Sequence, residues 1–180
     1  RLDPWHYTKR KDGGEFDFKH FVEFPGEYEN TFVPFANVSD MFVACHFWDP
    51  ESPKFLTVED MQAVDFPVKV IADISCDIDG PVACTIRPST IDQPIYGYDP
   101  ETESEVDFKN TSAIAVMAVD NLPCELPKDA SEGFGNSFVE NILPAFFNND
   151  HGGILNRAKM TENGKLTSSF SYLQDYVDGK

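Results

Sequence analysis

Two runs, Val68–Ile74 (VKVIADI) and Ala113–Val119 (AIAVMAV), are nearly all apolar yet too short for buried helices. That combination suits strands covered on both faces. A third run, Met41–Cys45 (MFVAC), is bounded by polar residues and reads as a strand too. Helical patterns separate the runs, so the strands should pair in parallel in an α/β layer.

The intervening elements follow from local signals. From Pro25, the residues Tyr28, Phe32 and Phe35 recur at helical spacing and predict a first helix. Thr57 can cap a short helix to about Val64, with Asp60 closing the capping box and Pro67 stopping it. After Pro127, the residues Phe134, Phe138, Ile142 and Phe146 step by four, with Val139 and Leu143 on the same face. This predicts a helix to about Phe147 that packs one side on the sheet and is kinked by Pro144. Ile154–Met160 and Phe170–Tyr176 read as two short helices. The polar stretch Asp77–Ser112 holds four prolines and the acidic tract DPETESEVD, a length typical of functional or disordered loops, and its YGYDP segment with the acids that follow reads as a solvated excursion in preference to a docking site.

Charge narrows the partners. Fourteen Lys and Arg stand against thirty-one Asp and Glu, a net charge of -17, which repels nucleic-acid phosphates and anionic lipid surfaces. No apolar run approaches the roughly twenty residues that cross a bilayer. The opening RLDPWHYTKRKDGG has no initiating Met and no signal core, which suggests an interior cut of a longer chain. Cys45, Cys76, Cys84 and Cys124 lie far apart without zinc-ligand spacing, each in or near an apolar strand pattern, so reduced, buried thiols and a cytoplasmic location are expected.

Three places could carry chemistry. Asp73 to Gly80 (DISCDIDG) crowds carboxylates and a hydroxyl at a strand end. A calcium loop fails there: counted from Asp73, Ile78 stands where Gly is required, and counted from Ser75 the twelfth residue is Ile86 rather than Glu. No metal is expected. The segment is either a plain turn or a ligand-facing lip, and Asp73, if buried, must be hydrogen-bonded. Asp120-Asn121-Leu122-Pro123 follows a buried strand, where open α/β sheets bind ligands, and could meet ribose hydroxyls and a carboxamide, or form a simple turn. His46 directly follows the first strand and so shares that edge, as a surface, capped or site residue.

The segments DISCDIDGP (73–81), TIRPSTIDQPIYGYDP (85–100) and MAVDNLPCELPKDAS (117–131) resemble, in order, the C-terminal part of NAD-dependent, lysine-forming saccharopine dehydrogenases and the lysine-ketoglutarate reductase half of bifunctional lysine-degrading enzymes. Both groups sit in the wider alanine dehydrogenase and transhydrogenase superfamily. The likeness spans roughly residues 39–150, and Asp120 followed by Leu-Pro favours the saccharopine branch over alanine dehydrogenases, which carry Asn there.

The resemblance implies the second half of a Rossmann-like doubly wound parallel sheet with a C-terminal helical tail. Residues 1–24 would be an irregular N-terminal segment, 25–148 a partial NAD(P)-binding domain and 149–180 a tail returning to a catalytic domain. It implies oxidation of saccharopine by NAD, with water, to lysine, 2-oxoglutarate and NADH, or the reverse. Ile74, Asp120, Asn121, Leu122 and Pro123 would face the cofactor, and Ser75, Cys76 and Asp77 the substrate. The cofactor implied is NAD, with NADP left open because the residue that discriminates them follows a Gly-rich turn. That turn, the family's Lys–His acid–base pair and its substrate-binding Arg find no match here, so no catalytic residue is assigned and no turnover is expected from this chain alone. An open apolar edge near Met41–Cys45 would invite a homo-oligomer or a missing N-terminal part. The rival readings are a non-catalytic module docking through Asp99–Asp107 and an alanine dehydrogenase-like enzyme.

Overall fold

A computed structural model describes all residues, Arg1–Lys180. They form two compact units, Arg1–Glu125 and Leu126–Lys180. That boundary falls inside the 25–148 span read from the sequence.

The first unit is built on a five-stranded sheet. Before it come α1 (Pro4–Tyr7), β1 (Thr8–Arg10), α2 (Phe18–Glu23), β2 (Tyr28–Asn30) and α3 (Val33–Ala36). The sheet comprises β3 (Met41–Ala44), β4 (Val70–Asp73), β5 (Tyr96–Asp99), β6 (Ser104–Val106) and β7 (Ile114–Met117) in the order β3-β4-β7-β5-β6. All three strands expected from apolar runs are present, and they pair in parallel. One face is well covered: Ile71 and Val116 lie side by side in register, and both are fully buried. Val70, Ala72, Ala115 and Met117, which alternate with them, are only half-buried, so the strands are less completely covered than their composition implied.

The YGYDP segment and the acids after it correct the expectation of a solvated excursion. Tyr96 and Tyr98 are buried, and β5 pairs antiparallel with both β7 and β6, extending the sheet by a hairpin. Pro94 and Pro100 flank β5 without interrupting its ladder, and the acidic tract caps the hairpin, turning at Glu103 with φ 49°. Gly97 is required by packing: a Cβ there would stand 2.7 Å from the Phe108 backbone.

The first predicted helix is also corrected. Pro25–Glu27 makes a single 3₁₀ turn, β2 then pairs with β1, and only Val33–Ala36 is α-helical. Asn30 diverts the chain: its Oδ1 accepts from the Phe32 amide at 2.7 Å and its Nδ2 donates to the Phe55 carbonyl at 2.9 Å. Tyr28 and Phe32 are still buried, as their spacing suggested, but on a strand and a turn. The Thr57 cap is present. Its hydroxyl accepts from the Asp60 amide at 3.2 Å and Asp60 accepts back from the Thr57 amide at 2.9 Å, opening α4 (Val58–Met61), which ends before Val64.

In the second unit α5 (Pro127–Ser137) continues as a π-helical turn, Phe138–Ile142, and a 3₁₀ turn, Leu143–Phe146. Pro144 lacks an amide hydrogen and crowds the preceding turn, so a change of helical register there is its natural effect. Within this unit Phe134 is 74% exposed and Ile142 is half-buried. After α6 (Ile154–Ala158), an unforeseen hairpin joins β8 (Thr161–Glu162) to β9 (Lys165–Leu166) through Asn163 and Gly164, both with positive φ. A 3₁₀ stretch and α7 (Gln174–Val177) end the chain. No helix is long and apolar enough to cross a membrane.

Candidate functional site

β4 and β7 are parallel neighbours, so their carboxyl ends, at Asp73 and Met117, share one rim of the sheet. What each strand does on leaving the sheet determines the site.

Asp73 is 0% exposed, a costly place for a carboxylate unless its oxygens are occupied. They are. Oδ1 accepts from the amides of Ser75 and Cys76, each at 3.1 Å, and Oδ2 from the Thr85 hydroxyl at 2.7 Å. These bonds wrap the backbone around the carboxylate and carry Cys76 into the left-handed region, φ 52°. Gly80 closes the turn: its amide donates to the Asp77 carbonyl at 3.0 Å, and a Cβ would lie 2.6 Å from that of Asp77.

Ser75 and Cys76 spend their side chains on neighbouring strand ends. The Ser75 hydroxyl donates to the His46 carbonyl at 2.6 Å and accepts from its amide at 3.1 Å, tying β4 to the chain leaving β3. The Cys76 thiol donates to the Ala118 carbonyl at 3.1 Å, tying β4 to the chain leaving β7. Burial, followed by the charges of Asp73, Asp120 and Asp77, raises the Cys76 thiol above its ordinary pKa. Burial, then Asp73, likewise raises the Asp77 carboxyl. The two acidic turns therefore converge on Cys76.

Beyond Ala118 and Val119, both buried, Asp120, Asn121 and Pro123 emerge exposed, with Leu122 half-buried on a 3₁₀ turn. Ile74 is exposed at the end of β4. Sequence reasoning assigned no role to Thr85 and Ser89, which hold this rim. The Ser89 amide donates to the Ala118 carbonyl at 2.8 Å, and its Oγ accepts from the Ala118 amide at 3.0 Å. Both lie in the TIRPST segment, but only the folded chain shows what their hydroxyls meet.

His46 stands at the β3 end of the same rim. Its ring meets Phe55 edge-on, 4.3 Å between centroids, and burial lowers its pKa against the opposing pull of Asp73. His46 Nε2 and Trp48 Nε1 are buried without hydrogen-bond partners. Both residues line an apolar cavity of 790 Å³ between β3 and the N-terminal segment, walled by Phe32, Phe35, Phe42 and Phe55. Ile74–Asp77 and Asp120–Pro123 do not line that cavity; His46 connects it to Ser75. No three His, Cys, Asp or Glu side chains stand close enough to hold a metal ion.

Chemically, the rim offers carboxylate acceptors at Asp77 and Asp120 beside apolar surface at Ile74 and Leu122. It can orient hydroxyl, amide and ammonium groups.

No protein-family model matches the chain. Among curated proteins it is homologous to alpha-aminoadipic semialdehyde synthase of Arabidopsis thaliana, 30% identical over 88% of this chain and 16% of the relative, and to the mitochondrial alpha-aminoadipic semialdehyde synthase of mouse, 27% identical over 96% and 22%. It is also homologous to a saccharopine dehydrogenase (NAD(+), L-lysine-forming) of Schizosaccharomyces pombe, 30% identical over 61% of this chain and 29% of the relative. The chain thus spans less than a third of the length of these relatives. The resemblance drawn from the three segments is matched by these homologues, and in the mouse relative it extends well beyond residues 39–150.

Proposed function

We propose that this homologue of saccharopine dehydrogenases supplies the cofactor- and substrate-orienting rim of an NAD(P)-dependent oxidoreductase acting on the CH–NH group of an amino-acid substrate, saccharopine. The observation that carries this reading is the Cys76–Ala118 hydrogen bond, which makes one rim of the turns after β4 and β7.

The residues suit a nicotinamide nucleotide. Asp120 accepts from the hydroxyls of the nicotinamide ribose, Asn121 meets the carboxamide, and Leu122, Pro123 and Ile74 give the ring an apolar border. Asp77 accepts from a substrate ammonium, while Ser75 and Cys76, whose side chains are engaged, face the substrate with their main chain. When bound, NAD takes up the hydride that leaves the substrate carbon. No proton relay is assigned on the rim, so the chain orients its ligands and by itself turns over no saccharopine. Saturation-transfer NMR with NADH and saccharopine, on the native chain and on Asp120→Ala, tests this: transfer to NADH is expected in the native chain and lost in the variant, and equal transfer in both removes Asp120 from the site.

Of the four free thiols only Cys84 is fully buried, and Cys45 and Cys124 are exposed, which corrects the expectation of burial; free thiols support a reducing compartment, and we propose the cytoplasm, while the mouse relative is named as mitochondrial. β3 is the end strand of its sheet, with Met41 57% and Val43 50% exposed, which supports association of two copies along that edge.

A further inference from the structure

One segment, Cys84–Ser89, crosses the carboxyl ends of both β4 and β7. Thr85 reaches Asp73, the hub of the first turn, at 2.7 Å. Four residues on, Ser89 bonds Ala118 through amide and hydroxyl, two residues before Asp120. Thr85 and Ser89 are both buried, so neither hydroxyl is free to serve solvent.

The β5–β6 hairpin holds this segment from its other side. The Tyr96 hydroxyl donates to the Cys84 carbonyl at 2.8 Å and accepts from the Ile86 amide at 3.2 Å. The Arg87 guanidinium lies 4.4 Å above the Tyr96 ring and grips both oxygens of Glu105 on β6, at 2.7 and 2.6 Å. Paired, planar contacts of this kind fix orientation as well as position.

We propose that Thr85 and Ser89 are positioning residues that set the two turns of the rim relative to each other, with the Arg87–Glu105 pair as the clasp that holds them in register. The proposal rests on the reading of the rim as a nicotinamide-nucleotide site. It adds that the hairpin, which precedes Asp120 in the chain, controls how well Asp120 is presented. Thr85 acts through Asp73, and Ser89 through Ala118.

The test uses the full 180-residue chain, labelled with ¹⁵N, as native protein and as Ser89→Ala, Glu105→Gln and Asp120→Ala. It reads three quantities: the amide resonances of Asp120 and Asn121 without ligand, the NADH affinity, and the thermal midpoint. Ser89→Ala is expected to move both resonances in the free chain and to weaken NADH by about tenfold or more, since small misplacements of binding groups cost that much. Glu105→Gln, at an exposed pair, should shift the same resonances and weaken NADH about threefold with little change in midpoint. Unmoved Asp120 and Asn121 resonances in folded Ser89→Ala, or native NADH affinity there while Asp120→Ala loses it, would overturn the positioning role. If Ser89→Ala does not fold, the Glu105→Gln resonances decide. Absence of NADH binding by the native chain would defeat the reading of the rim instead, and the ligand-free resonances would still report on Ser89.

Discussion

The thiol of Cys76 and the carbonyl of Ala118, forty-two positions apart, are joined by a 3.1 Å hydrogen bond. Ala118 is thereby shared between two anchors, because the same carbonyl accepts from the Ser89 amide. The turns after β4 and β7 are consequently tied to each other at Ala118.

The turn after β4 depends on a buried carboxylate. Removing it in Asp73→Ala strands the Ser75 and Cys76 amides and the Thr85 hydroxyl, and should cost about 3 kcal/mol or more of stability in urea denaturation. Asp73→Asn keeps one oxygen for the amides while the Thr85 hydroxyl turns to accept, so its cost should be nearer 1 kcal/mol.

The thiols should divide by environment. Burial raises Cys84 strongly and Cys76 less, while Cys45 and Cys124 are exposed. Since the thiolate is the reactive form, brief iodoacetamide treatment at pH 8 followed by mass spectrometry should show two labels on the native chain and four after unfolding. For the half-buried Cys76 and the buried Cys84 the folded pKa lies above the unfolded one. Their contribution to stability is therefore complete below the ordinary thiol range, about 8.5, and declines as pH rises above it. Stability rising with pH above that range would contradict the burial of Cys84 and the partial burial of Cys76.

Gly97→Ala probes the hairpin that sequence reading did not foresee. The new methyl would meet the Phe108 backbone at 2.7 Å, with no flexible side chain to give way. A loss of about 1–3 kcal/mol is expected in thermal or urea unfolding, and native stability in this variant would contradict the packing of β5 against Phe108.

The open edge of β3 makes a separate prediction. Light scattering should show a mass that grows with concentration, and Val43→Lys should return it to that of one chain. A single-chain mass at high concentration would show that the edge takes no second copy.

Legibility in the sequence followed how local the determining forces were. β3, β4, β7 and the Thr57 cap announce themselves by short apolar runs and a capping pair. Tyr96-Gly97-Tyr98 alternates too, but it sits among prolines and acids, and its burial depends on pairing with β7, which a linear reading does not supply. Tyr28 and Phe32 have helical spacing, yet two long-range bonds of Asn30 and Tyr28 outweigh it. At the site, the turns after β4 and β7 were legible from where the apolar runs stop. The commitment of the Ser75 hydroxyl to His46, and of Thr85 and Ser89 to the rim, was not, because each joins residues twelve to twenty-nine positions apart.

Titrating NADH into the ¹⁵N-labelled chain and mapping the amide shifts decides whether the two acidic turns hold the cofactor. Perturbations gathered at Ser75–Asp77 and Asp120–Asn121, and reduced in Asp120→Ala, are the predicted result. Perturbations confined to Phe35, Trp48 and their neighbours around the β3 cavity, with the two acidic turns unmoved, would contradict it.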